Sequence, residues 1–116
     1  MNAELLKSVG IDYDEGVKRF SGKKVLYEKF LRKFTEDDNF DSLREELQKG
    51  NLDAAFRNAH ALKGITGNLS MNKFYKKLNG VVEALRGRDE AKAKKLFAEL
   101  DKEYEMHLRA IEESDE

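Results

Sequence analysis

Leu52-Asp53-Ala54-Ala55-Phe56-Arg57-Asn58-Ala59-His60-Ala61-Leu62-Lys63-Gly64-Ile65-Thr66-Gly67-Asn68-Leu69 is the stretch that decides how this chain folds. At about 100° per residue, one side of a helix collects the apolar positions. These are Leu52, Ala55, Phe56, Ala59, Leu62, Thr66 and Leu69. His60 falls roughly 120° from the centre of that side by the same angular count. Gly64 and Gly67 follow it at i+4 and i+7 and flank it on the polar side. A glycine inside a helix costs about 0.5–1 kcal/mol relative to alanine. Two of them beside one polar-face imidazole point to a surface kept bare so that something large can approach the ring.

Outward from this segment the reading is helical almost throughout. Proline is absent, and charged residues, alanine and leucine dominate. Asn2 is placed to cap a short helix through Ser8, and Gly10-Ile11-Asp12 breaks it. Asp12 or Asp14 then caps a second short turn through Phe20. Ser21-Gly22 is read as the start of the next helix, with Leu26, Tyr27, Phe30, Leu31 and Phe34 as one apolar stripe. Residues 35–39 are polar and mark a kink or a break. Phe40, Leu43 and Leu47 continue the stripe to Gly50, a C-terminal stop, and Asn51 caps the His60 helix. Ser70 or Asn72 opens the next helix, which turns Phe74, Leu78, Val81, Val82 and Leu85 inward and closes at Gly87. Asp89 caps the last helix, where Leu96, Phe97, Leu100, Tyr104, Leu108 and Ile111 face inward. Residues 112–116 form an acidic end expected to fray. Short loops make sequential helices antiparallel neighbours. The expected fold is therefore all-α: an antiparallel four-helix bundle over about residues 21–112, with one or two short helices in about residues 1–20. Residues 1–116 form one domain.

Composition narrows the function. A chain of 116 residues can bury one core without disulfides or a structural metal. The net charge of −1 gives no drive toward nucleic acid or an anionic membrane. There is no cysteine, and the N-terminus lacks the apolar core of a signal peptide, so a cytoplasmic setting is expected. No apolar run is long enough to span a bilayer. There is no glycine-rich phosphate loop, so ATP-dependent kinase activity is not expected. The two histidines follow no repeated Glu-x-x-His pattern, which argues against a di-iron bundle, and no metal site is expected.

The two histidines contrast. His107 sits among Leu100, Tyr104, Leu108 and Ile111 and reads as a packed histidine. His60 alone would read as a solvated surface residue. Its neighbours change that reading. His60-Ala61-Leu62-Lys63-Gly64 followed by Leu69 resembles the motif of histidine-containing phosphotransfer (HPt) domains of two-component phosphorelays. The resemblance extends to Gly10-Ile11-Asp12 with Gly16, Val17 and Phe20, and to Tyr27, Phe30, Leu31 and Phe34. It also takes in Gly50-Asn51-Leu52, Leu69-Ser70-Met71 and Phe74.

The resemblance implies that His60 accepts a phosphoryl group from a receiver-domain aspartate and passes it to another. A neutral imidazole can be the nucleophile, since the ordinary histidine pKa of about 6.5 leaves such a ring largely unprotonated at neutral pH. Which ring nitrogen reacts is left open, although in this family it is usually the distal one. Lys63, three residues on, would screen the phosphoryl charge; the ordinary reading is a solvated lysine covering apolar surface. Gly64 and Gly67 would clear space for the receiver's loops. Arg57, Lys76 and Lys77 are candidates for a positive rim, with ordinary surface charge an equal reading. The implied partners are response-regulator receivers and a sensor or hybrid histidine kinase. The chain would bind no cofactor itself, and Mg²⁺ would belong to the receiver. A monomer is expected. The family usually has glycine where this chain has Ser70, so the turn there must strain the serine or end the helix differently. Two other readings stay open: a non-catalytic adaptor for receivers or kinases, and a phosphoacceptor domain of a larger hybrid or chemotaxis kinase. Met1 and the acidic end fit a free-standing protein, though an excised domain would look the same.

Overall fold

Side-chain caps set the two short N-terminal helices. Asn2 accepts from the Leu5 amide at 3.0 Å and starts α1, Ala3–Ser8. Asp12 accepts from the Glu15 amide at 3.1 Å and starts α2, Tyr13–Arg19. Each cap satisfies an amide that has no partner inside its helix. The computed structural model describes residues 1–115 and continues with α3, Lys24–Phe34, and α4, Asn39–Lys49. Then come α5, Leu52–Asn68, α6, Asn72–Arg86, and α7, Glu90–Ser114. No strand occurs among the described residues, so the fold is all-helical. The 25 residues of α7 reach about 37 Å at a rise of ~1.5 Å each, which accounts for the molecule's 39 Å long dimension. No helix among the described residues is long and apolar enough to cross a membrane.

Helix α4 packs on α5, α5 on α6 and α6 on α7, while α4 also touches α7. α1 and α3 lie against α7, and α2 meets α1 and α3. The connections between the last four helices are residues 50–51, 69–71 and 87–89. An aromatic cluster joins four helices in the core. Phe40 stacks on Tyr104 at 4.0 Å between centroids and on Phe97 at 4.8 Å, while Phe34 meets Phe74 and Tyr104 edge-on. Helix α5 presents small residues inward. Ala55 and Ala59 are fully buried beside Leu62 and Thr66, and the Thr66 hydroxyl donates to the Leu62 carbonyl at 2.8 Å.

Several details differ from the sequence reading. Ser21 and Gly22 do not start a helix: both are left-handed, at φ 56° and 78°, and form the turn before α3. Residues 35–38 break the chain fully, so α3 and α4 are separate helices. Leu26 and Phe30 are not core residues but 37% and 39% exposed. Asn51 makes no side-chain cap; its side-chain Nδ2 donates instead to Glu46 Oε2 at 2.9 Å. Gly50 has the expected left-handed stop at φ 76°, but after α6 the left-handed residue is Arg88, not Gly87. Residues 112–114 continue α7 where fraying was expected, and Asp115 ends it. Ser114 is buried and its hydroxyl accepts from the Asn2 amide, and Asp115 takes two bonds from the Arg32 guanidinium at 2.7 and 2.8 Å. The last residue of the acidic end, Glu116, lies outside the described residues.

His107 is a packed residue, as its surroundings in the sequence imply. It is 1% exposed and lies 5.3 Å from the Phe74 ring, with Nδ1 held at 2.7 Å from the Glu103 carbonyl. Desolvation pushes its pKa down, opposed by the hydrogen bond to the Glu103 carbonyl and the nearby Glu103 charge; Lys73 adds to the lowering. The folded protein therefore binds this proton less readily than the unfolded chain. The associated stability is fully present above the unfolded value, near pH 6.5, and is lost as pH falls toward the depressed folded value. The unfolding free energy from urea denaturation should fall between pH 7.5 and 5, with a slope of at most about 1.4 kcal/mol per pH unit for one proton. The His107→Leu variant should flatten that slope; an unchanged slope would assign it elsewhere. Glu28 and Asp115 have lowered pKa values, Glu28 chiefly through Tyr13 and Asp115 through Arg32, and so act at more acidic pH.

Candidate functional site

The small inward residues of α5 leave His60 on its outer side, exposed to solvent. Phe56, one turn earlier, backs the imidazole with ring centroids 5.8 Å apart, and the Arg86 guanidinium lies 5.2 Å from the Phe56 ring. Only His107, of the two histidines, has a ring hydrogen bond among the described residues.

His60 lines an open depression of about 440 Å³ where α5, the start of α6 and the end of α2 meet. Lys63, Gly64, Gly67 and Asn68 come from α5, Asn72 and Tyr75 from α6, and Arg19 from α2. The lining thus holds two basic side chains, two side-chain amides and the imidazole, and no carboxylate. Such a surface suits an anion with several acceptor oxygens.

The two glycines do different things. A methyl group at Gly64 would meet nothing within 4 Å, so this position faces open space beside His60. A methyl at Gly67 would lie 3.2 Å from Tyr75 Cε2. Gly67 therefore gives Tyr75 room against α5, besides leaving the depression open. Tyr75 in turn sits under Lys63, whose Nζ is 5.9 Å from the ring centroid, within cation–π range. The contacts link Gly67 to Tyr75 and Tyr75 to the lysine.

The other sequence candidates lie elsewhere. Lys77 donates to Glu103 Oε1 at 2.8 Å, an interaction that raises its pKa, and faces α7. Arg57 lines a separate depression with residues 50–54 and Arg88. Lys76 is exposed and does not line the His60 depression. The positive rim is made instead by Arg19 and Lys63. Arg19, Asn72 and Tyr75 carried no signal as site residues in the sequence, because only the folded chain brings α2 and α6 beside α5.

Ser70 closes the turn after α5. It is left-handed, at φ 56°, and fully buried, and its carbonyl accepts from the Asp12 amide at 2.9 Å. Serine thus takes the strained alternative, a conformation that costs a non-glycine residue about 1 kcal/mol or more. The bond it makes holds the start of α2 to the end of α5. On the other flank of Asn68 lies a largely apolar depression of about 460 Å³, lined by Phe20, Phe30, Ile65 and Leu69.

No family model, curated protein or solved structure matches the chain.

Proposed function

We propose that this protein is a phosphocarrier of the histidine-containing phosphotransfer type, with His60 as the residue that carries the group. One observation supports this above the others: an exposed imidazole opens onto a depression lined by cations and amides without a carboxylate. In the proposed reaction a ring nitrogen of His60 attacks the phosphorus of a receiver's aspartyl phosphate. The N–P bond forms, the acyl O–P bond breaks, and the aspartate leaves as carboxylate. Transfer to a second receiver reverses these steps. Phosphoryl transfer depends mainly on positioning and electrostatics, so a fixed nucleophile with nearby positive charge is a sufficient contribution from this chain.

The finer architecture follows the same reading: α4 to α7 form an antiparallel four-helix bundle, and α1 to α3 close one end. The partners are response-regulator receivers and a sensor or hybrid kinase, with Mg²⁺ held by the receiver. The protein works as a monomer in the cytoplasm and has no ATP-dependent kinase activity of its own. The apolar depression beside Asn68, with half-exposed Phe30 on its rim, is suited to a receiver's apolar surface.

Incubation with phosphorylated receivers tests the proposal. Acid-labile, alkali-stable label should move to this chain and onward to a second receiver. Failure of every receiver from the source organism to label it would reject the reading.

Gly64 provides a second test, because fold and docking respond to it in opposite directions. Gly64→Ala should raise stability by about 0.5–1 kcal/mol, since the added methyl meets nothing and alanine favours helix. Gly64→Leu should fold normally yet slow transfer on the order of 10²-fold by displacing the receiver. Urea melts and single-turnover transfer separate the two effects. Unchanged transfer in Gly64→Leu would remove the clearance role.

A further inference from the structure

We propose that Arg19 is a phosphoryl-binding residue, which releases Glu15 and grips the phosphoryl group once His60 carries it. This rests on the phosphocarrier reading and adds to it a residue from outside the His60 helix. Arg19 stands in the last turn of α2 and lines the same depression as His60 and Lys63. Its resting partner is weakly held. Arg19 Nε lies 3.5 Å from Glu15 Oε1, at the limit of a hydrogen bond, and the two side chains are 51% and 41% exposed. Exposed pairs of this kind contribute little. The two terminal guanidinium nitrogens bond nothing among the described residues. They are the fork that suits two oxygens of one phosphoryl group.

Glu15 can lose Arg19 without being left unpartnered, because Asn72 Nδ2 also donates to Oε1 at 3.3 Å. A phosphohistidine brings more negative charge than one carboxylate, and three acceptor oxygens. It should therefore outcompete Glu15 for the guanidinium. The anchor of Arg19 is also fixed near the site. The Asp12 amide donates to the Ser70 carbonyl at 2.9 Å, and the Tyr27 hydroxyl donates to the Leu69 carbonyl at 2.7 Å. Both bonds tie the N-terminal helices to the end of α5.

The experiment labels His60 with phosphoramidate, which needs no receiver. A ring nitrogen of His60 forms the new N–P bond while the reagent's own N–P bond breaks and ammonia leaves. Phosphorus NMR then follows the titration of the phosphohistidine in the parent, Arg19→Gln, Arg19→Lys and Glu15→Gln. Arg19→Gln should make the phosphoryl group take up its proton at higher pH. It should also shift the equilibrium with a receiver away from this chain by about three- to tenfold, the scale of a charge-assisted pair at a half-exposed site. Arg19→Lys should fall between, as a point charge without the fork. Glu15→Gln, which frees the guanidinium, should move both readings the opposite way. A purely structural role for Arg19 would alter melting but not the phosphoryl titration. If Arg19→Gln titrates as the parent does while His60 still takes label, this assignment is overturned and the carrier reading stands. If His60 takes no label from phosphoramidate or from receivers, both are overturned.

Discussion

His60→Gln is expected to lose acid-labile label from phosphorylated receivers by three orders of magnitude or more, on the order of what removing a covalent nucleophile costs. Glutamine has similar bulk and keeps a polar group at the helix surface, but offers no lone pair able to form a stable N–P bond. The other histidine provides no substitute. His107 is 1% exposed, and Nδ1 is held against the Glu103 carbonyl. His107→Gln should therefore leave labelling intact even where it lowers stability. The fold should tolerate His60→Gln, because His60 is exposed and its one aromatic neighbour is half-buried Phe56. A change in stability within about 0.5 kcal/mol is expected for such a surface site. Thermal melting and label transfer on the same preparation give the comparison. Label persisting in His60→Gln would place the acceptor on another residue.

Periodicity on α5 was sufficient to find both the buried face and the exposed imidazole, since 17 consecutive helical residues average out local exceptions. Caps were legible where a short polar side chain does the capping, at Asn2, Asp12 and Asp89. They were not legible where tertiary structure sets the turn. Arg88 is left-handed although Gly87 beside it attracts that assignment, Ser21 is left-handed together with Gly22, and at Ser70 the sequence leaves open whether the serine bears the strain. Ser70 is held by its bond to Asp12, a partner no local pattern reveals. Exposure on α3 departs from a single apolar stripe for a related reason. Its apolar residues spread across more than one face, and only Tyr27, Leu31 and Phe34 find the core. At the site, residues on α5 could be found from its own spacing. Arg19 and Tyr75 could not, because their roles exist only after α2 and α6 have docked.

Gly16→Ala should destabilise the protein, whereas the same change at Gly64 should stabilise it. Intrinsic helix preference favours alanine at both sites by about 0.5–1 kcal/mol, so space decides the sign. A methyl at Gly16 would fall 2.2 Å from Tyr27 Cε1 and 2.3 Å from Cζ. The ring cannot move aside cheaply. Tyr27 is fully buried, meets Tyr13 and Phe20 edge-on at 5.5 and 5.6 Å, and donates its hydroxyl to the Leu69 carbonyl. Burial raises the Tyr27 pKa, so the phenol stays protonated and keeps donating. Overpacking of this kind costs about 1–3 kcal/mol, and a broken bond to Leu69 would add to it. Urea denaturation should show the loss, with a melting temperature lower by about 4 °C or more per kcal/mol. The damage should also reach the site, because the displaced ring loosens α2, and with it Arg19, from the end of α5. Tyr27→Leu tests the cause. Since the new methyl and the tyrosine ring compete for one space, the two changes should cost less together than the sum of each alone. Additivity within about 0.5 kcal/mol would show that they do not meet.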